Sequence, residues 1–350
     1  MNNSNLRSIK YESIKAIFNS ISECEKISRA EIADITGLSL VTIGKIADAL
    51  IDFEIISQVK EIRHQAGRRA GLLSVNDAKF ALVLDFTSYE FRYSVLNLRL
   101  CLLEKNQYHY QESLSFEENF RRFLSETRAY IDSKYSLSNC FGIGVAVSGP
   151  YNTDSDRVIS SRVPELCTIK LERVISQHFP NLIIKIDSQV NAAAKSNITH
   201  VDGYKEKNIV YWYIGNSYVC GAYLVNGQLI LGKDKHACQF GAMRLYDGET
   251  LEDKLEKCND LESYADALSL TIETVIRILS PHMLIIEYDA KFVCEDIIPL
   301  LRKNLYEKYC VTQEMMPDMI RACCKFRNSH RGLTMDLREL WLDRLVFGED

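Results

Sequence analysis

The stretch Ser28–Leu73, SRAEIADITGLSLVTIGKIADALIDFEIISQVKEIRHQAGRRAGLL, decides how the rest of the chain is read. Ser28 can cap a short helix whose apolar residues Ile32, Ala33 and Ile35 share one face, and Gly37 can close it in the left-handed conformation. Ser39 caps the next helix. That helix carries Leu40, Ile43, Ile46, Ala47 and Leu50 at helical spacing for a core, which leaves Val41, Thr42, Lys45 and Asp48 toward the open side. Two helices joined through a glycine turn have the geometry of a helix-turn-helix, whose second helix enters a DNA major groove by its N-terminal end. Ser39, Val41 and Thr42 are short enough to approach base edges, and Lys45 can reach a phosphate. Ile55, Ile56 and Val59 then make a strand, Leu72, Leu73 and Val75 resume the apolar pattern, and between them Arg63, His64, Arg68 and Arg69 gather around Gly67 as a basic wing. Helix-turn-helix geometry also occurs as plain packing in helical domains. The Ser-led second helix, the hairpin and Gly67-Arg68-Arg69, in that order, favour duplex DNA.

The surrounding 350 residues are 47% hydrophobic, enough for substantial cores and two or three domains. A formal net charge of −5 looks wrong for a nucleic-acid binder until it is divided by region. Residues 1–80 hold 11 Lys and Arg against 10 Asp and Glu, a net of +1, so the acidic excess belongs to the remainder, at 31 against 37. Within Ser57–Leu72, Lys60, Arg63, Arg68 and Arg69 face only Glu61, which puts the positive field where a duplex would lie. The eleven cysteines are odd in number and scattered, with no C-x-x-C and no cleavable apolar segment ahead of them, so they read as reduced thiols. No apolar run is long enough to span a bilayer; the expectation is a cytoplasmic protein with no membrane partner.

Ahead of the helix-turn-helix, a polar lead-in precedes a helix with Ile9, Ile14, Ile17 and Phe18 on its apolar side, and Asn76-Asp77 is a turn signal where strand periodicity takes over. Phe80–Asp85, Phe91–Leu98 and Cys101–Glu104 read as strands, Ser115–Tyr130 as a helix, Phe141–Pro150 as a buried strand running into a Gly-Pro turn, and Leu182–Asp187 as a strand leading into a helix over Val190–Ser196. The plan then repeats: Ile209–Gly215, Gly221–Val225, the turn Asn226-Gly227 and mainly helical sequence over Leu251–Leu279. Such repetition suggests duplicated α/β halves with a cleft between them.

A helix-turn-helix with a Gly-Arg-Arg wing, a strand-Asp-turn-strand, GIGVAVSGP (142–150), VNAAA (190–194), NGQLILG (226–232) and FGAM (240–243) follow one another in an order that resembles the ROK family of repressors and sugar kinases along its whole length. The N-terminal domain places the likeness in the repressor branch. The resemblance implies an α/β fold: a winged helix-turn-helix over 1–76, then a two-lobed actin-like body with lobes over 77–200 and 201–350, whose terminal helix can return to the first lobe. It also implies a homodimer and a sugar site in the cleft between the lobes.

The departures from the family pattern are as informative. Where kinase members have Asp-x-Gly-Gly-Thr, whose glycines let backbone approach phosphate, this chain has Asp85-Phe86-Thr87-Ser88-Tyr89. The second glycine loop is Gly215-Asn216-Ser217-Tyr218-Val219, and the Gly-Gly after the strand Met283–Ile286 is Glu287-Tyr288. The family's catalytic aspartate falls on Gln189, an amide that does not accept a proton near neutral pH, and Asp187 would point elsewhere. The zinc His and Cys run corresponds to Gly241-Ala242 and Asp253–Asp260; His236, Cys238 and Cys258 do not make a ligand set. The sugar-contact motifs become Pro164-Glu165-Leu166, Gln239-Phe240-Gly241-Ala242 and Leu261-Glu262. Glu165, Gln189, Gln239 and Glu262 could still hydrogen-bond a carbohydrate-like effector, or be polar remnants of a cleft that closes on itself.

The expectation is therefore a regulator, read as a repressor, that binds a two-fold operator in double-stranded DNA as a homodimer. It has no catalytic residues, no cofactor and no metal. Two alternatives stand beside it: a sugar kinase with a nonstandard site, and an interaction protein with a vestigial helix-turn-helix.

Overall fold

The computed structural model describes residues 3–60, 71–215, 218–289, 297–323 and 328–347. The chain divides into two compact units built from interleaved segments. One takes the chain up to Val145, Glu172–Lys185 and the chain from Leu333; the other takes Ala146–Leu171 and Ile186–Gly332.

The first unit begins with α1 (Asn3–Glu23), β1 (Ile27–Ser28), α2 (Arg29–Thr36), α3 (Leu40–Asp52), β2 (Ile56–Lys60) and β3 (Gly71–Val75). The helix α1 starts well before the expected polar lead-in ends, and buries Ile14, Ile17, Phe18 and Ile21. Ser28 and Glu31 form a reciprocal capping box at the start of α2: the Ser28 hydroxyl accepts the Glu31 N–H at 3.2 Å and the Glu31 carboxylate accepts the Ser28 N–H at 2.8 Å. Gly37 closes the helix at φ 68°, where a side chain would be strained. The packed stripe of α3 is Ile43, Ala47 and Leu50, with Ile46 partly buried. Two expected core residues are not in it: Ile35 is 63% exposed and Leu40 is 58% exposed. Both lie beside the turn between the helices, Ile35 in the last turn of α2 and Leu40 as the first residue of α3, ahead of where the packed stripe begins. The strands form an antiparallel sheet in the order β1-β3-β2.

The same unit continues with the antiparallel strands β4 (Phe80–Phe86), β5 (Arg92–Asn97) and β6 (Leu102–Gln107), then α4 (Phe116–Tyr135) capped by Ser115, and β7 (Cys140–Val147). Every residue of β4 and β7 is buried, as a central strand covered on both faces requires. After the short hairpin β8 (Tyr151–Asn152) and β9 (Arg157–Val158), which belongs to the second unit, α5 (Leu171–His178) and β10 (Ile184–Ser188) follow, and the sheet order is β10-β7-β4-β5-β6. Phe86, Phe91, Phe120 and Phe123 pack against one another beneath α4.

One arginine ties the helix-turn-helix to this sheet. Arg99, in the β5–β6 turn, donates to the carbonyls of Ser22 (2.9 Å), Cys24 (2.5 Å) and Glu25 (3.2 Å), to the Ser74 hydroxyl (3.1 Å), and pairs with Asp77 at 3.3 Å. It thereby satisfies carbonyls at the end of α1 that have no partner within the helix.

The second unit carries α6 (Gln189–Ile198), β11 (Asn208–Gly215), β12 (Val219–Val225), β13 (Gln228–Leu229), α7 (Leu251–Lys257), α8 (Leu261–Leu279), β14 (Met283–Asp289), α9 (Ile298–Glu307) and β15 (Asp318–Arg321). Its sheet runs β13-β12-β11-β14-β15, antiparallel on one side of β11 and parallel on the other, which repeats the strand plan of the first sheet. Trp212 and Phe240, stacked at 4.3 Å, sit in a core that α8 and α9 cover. The helix α10 (Asn328–Phe347) begins in the second unit and ends in the first, where Leu337 lies over β7; a Cβ on Gly142 would sit 2.7 Å from it. Every described cysteine is free, and no described helix is long and apolar enough to cross a membrane.

Candidate functional site

At the start of α3 the Ser39 hydroxyl accepts the Thr42 N–H at 3.1 Å and lies 2.9 Å from the Thr42 hydroxyl. This cap holds the first turn rigidly while leaving its outer face open. Val41 is 68% exposed, Lys45 and Ser39 are exposed and Thr42 is half-buried. Arg29 of α2 reaches Asp48 at 2.6 Å, so that acid on the outer face is neutralised. The face thus presents two apolar side chains, Leu40 and Val41, beside hydroxyls and one lysine; methyl groups next to hydrogen-bonding groups match a major-groove edge containing thymine. Arg63, Arg68 and Arg69 of the expected wing lie outside the described residues.

A cavity of about 260 Å³ opens in the second unit, with Arg162, Gln189, Tyr218, Lys235, Gln239 and Glu252 among its walls. Several stretches of chain make it, and contacts fix three of its walls. In the first, Gly149 passes so close to the Ser160 carbonyl that a Cβ would collide with it, and the Ser148 hydroxyl meets that of Ser161 at 2.8 Å and accepts the Arg162 N–H at 3.1 Å. These contacts fix the loop that presents Arg162, whose guanidinium carbon lies over the Tyr218 ring, 3.8 Å from its centre. In the second, Ser188 caps α6 and puts Gln189 at its first position, where the amide donates to the Tyr218 hydroxyl at 2.5 Å. In the third, Tyr218 stacks on Tyr213 at 5.1 Å, and the Glu252 carboxylate accepts the Val219 N–H at 2.8 Å to anchor the start of β12. Burial, with Tyr213 alongside, pushes the Tyr218 hydroxyl far above its ordinary range, so it stays protonated.

Of the four residues expected around an effector, Gln189 and Gln239 line this cavity. Glu165 is half-buried off its wall, and Glu262 is exposed in the first turn of α8. Asp187, which is not in the lining, is taken up by Asn191 (3.3 Å) and Lys195 (3.4 Å). Arg162, Lys235 and Glu252 were not legible as neighbours, because they come from segments far apart in sequence and no local pattern marks them. Tyr218 was visible only as the loss of a glycine. In the first unit, Asp85 is buried and accepts the Thr87 N–H (3.0 Å) and hydroxyl (2.6 Å), closing the turn on itself. Glu287 in the second unit accepts from the Tyr211 hydroxyl and from Asn328 at 2.8 Å. Among the described residues no group of three or more His, Cys, Asp or Glu is placed to hold a metal ion.

A helix-turn-helix followed by two α/β sheets of the same strand plan is a fold that solved structures share. Over 97% of this chain, a ROK family transcriptional regulator described as a homologue of the E. coli MLC protein superposes with a TM-score of 0.70 at 16% identity, covering 98% of that chain. A ROK family protein from Streptococcus pneumoniae, solved with sucrose, covers 75% of this chain and 99% of its own with a TM-score of 0.59 at 15% identity. In sequence, the xylose repressor of Bacillus spizizenii is 22% identical over 272 residues, 76% of this chain and 69% of the repressor, and that of Bacillus subtilis is 22% identical over 278 residues, 78% and 71%. No family model matches the chain. The chain is thus similar in sequence to two xylose repressors and shares its fold with solved ROK proteins.

Proposed function

We propose that this protein is a DNA-binding transcriptional regulator, acting as a repressor, whose ROK body serves dimerisation and effector sensing and transfers no phosphate. The division is a winged helix-turn-helix over residues 1–76 followed by lobes over 77–200 and 201–350. The observation that carries the reading is the rigid, outward first turn of α3, with Ser39 and Thr42 locked in a cap and Val41 and Lys45 open beside it. Likeness to xylose repressors supports it. Val41 and Thr42 would choose bases, Lys45 would hold phosphate, and Arg63, Arg68 and Arg69 would add wing contacts. One helix-turn-helix covers a half-site, so the operator is two-fold and the protein a homodimer.

Absence of phosphoryl transfer is supported by how the would-be catalytic positions are occupied. Gln189 is spent on Tyr218, and Thr87 on Asp85. Phosphoryl transfer depends on groups free to position and neutralise phosphate.

The test is a gel-shift screen of genomic fragments against the full-length protein at about 0.1 to 0.2 M salt, where nonspecific binding is weak. A fragment with a two-fold site should be retained, and Val41→Ala with Thr42→Ala should lose it while keeping nonspecific affinity. No preference over random DNA overturns the DNA reading. Sugar-dependent ATP turnover in a coupled assay, with saturable ATP binding by calorimetry, overturns the inactive body. The half-buried Gln189 and the exposed Gln239 in its lining support the cavity of the second unit as the place for a carbohydrate-type effector, with Glu165 and Glu262 outside its lining.

A further inference from the structure

We infer that the cavity of the second unit selects an effector bearing an oxyanion, a carboxylate or a phosphate on a small ring, through Arg162 and Lys235. The inference rests on reading this cavity as an effector pocket and adds the ligand's charge. At about 260 Å³ the space lies near the lower end of ligand pockets, so the ligand is a single ring in size.

The charge follows from how the wall residues are used. Glu252, the acid among them, is committed to the Val219 N–H. The two cations are not committed. Neither the Arg162 guanidinium nor the Lys235 ammonium makes an ion pair among the described residues; each lies against a ring, Arg162 over Tyr218 at 3.8 Å and Lys235 over Tyr151 at 6.0 Å. A contact with the ring through its carbon takes up none of the guanidinium N–H fork as an ion pair would, and that fork can accept a planar carboxylate or two phosphate oxygens. Tyr151 and Tyr218 therefore hold two positive charges without neutralising them. The first turn of α6, which carries Gln189 into the cavity, adds a field of the same sign. In the same lining, the Gln239 amide and the side-chain carbonyl of Gln189, whose amide nitrogen is bound to Tyr218, offer neutral groups to ring hydroxyls. A neutral sugar would use the amides and leave both cations unsatisfied; a sugar acid uses both sets.

Calorimetric titration of the full-length protein with glucose, glucuronate and glucose 6-phosphate tests this. At least one of the two acids should bind at least tenfold more tightly than glucose, and its affinity should fall as salt rises. Binding of glucuronate alone assigns a carboxylate and of glucose 6-phosphate alone a phosphate. Arg162→Ala, at an exposed position, should lower acid affinity about ten- to a hundredfold with an unchanged circular dichroism spectrum, and Lys235→Ala should lower it less. Glucose binding as tightly as both acids, or acid binding that survives Arg162→Ala, overturns the charge selection and leaves the effector pocket standing. If none of the three binds to protein that still retains its operator fragment, both the selection and the effector pocket fall.

Discussion

Val41 stands in solvent two residues from Ile43, which is fully buried, so neighbouring substitutions on one helix should have separable effects. Val41→Ala should change unfolding free energy by less than about 0.5 kcal/mol while weakening operator binding. Ile43→Ala should cost about 2 to 5 kcal/mol and weaken DNA binding only as far as it unfolds the domain. Urea titration beside fluorescence anisotropy on operator DNA distinguishes them. Equal stability loss in both variants would remove Val41 from the surface. Buried thiols make a second prediction. Burial pushes Cys140 up to about 12 and Cys238 up to about 11. Folding thus favours the neutral thiol, so their contribution is fully present below the unfolded thiol range and is lost as pH rises through it toward these values. The urea midpoint should fall between about pH 9 and 11, and replacing Cys140 with Ala should flatten that fall.

Elements were the most legible level. Ser28, Ser39 and Ser115 announced helix starts because caps act over three residues, and β4 and β7 announced themselves as unbroken apolar runs. The exposed Ile35 and Leu40 were misread because periodicity reports which face a residue lies on and not how far a neighbouring element extends over it. Arg99 was invisible for a different reason: its partners Ser22 and Cys24 lie 77 and 75 residues earlier. The pocket shared that difficulty, since Gln189 and Gln239 were found through family motifs and Arg162 through nothing local. Arg99→Ala should cost about 2 to 3 kcal/mol by leaving several carbonyls without a donor, and hydrogen exchange should quicken over residues 20–28 before it does in β4. Uniform exchange in both regions would show that Arg99 is not a local clasp.

In the first unit, one continuous core joins the helix-turn-helix to the sheet and to α10. Ile17, Phe18 and Ile43 share it with Ala81, Leu98, Phe141, Leu337 and Leu342. Contacts with α10 reinforce it: the Tyr11 hydroxyl donates to the Glu339 carbonyl, Lys15 pairs with the Glu339 carboxylate at 2.6 Å, Arg338 donates to the Leu98 carbonyl at 2.9 Å, and Trp341 stacks on Phe141 at 5.3 Å. A fragment of residues 1–76 should therefore melt without a cooperative transition, and a chain ending at residue 332 should lose specific DNA binding although every residue facing DNA is present. Calorimetry of the fragment and anisotropy of the truncated chain check this; a sharp fragment transition would show that the helix-turn-helix needs no help.

During translation, the helix-turn-helix leaves the ribosome more than 250 residues ahead of the segment that completes its core. Until that segment emerges, Phe18 and Phe141 lack part of their cover, and an interrupted chain shows apolar surface to chaperones and proteases in place of a finished DNA-binding face. Premature termination then yields degradation products and not a stable N-terminal fragment able to occupy half an operator.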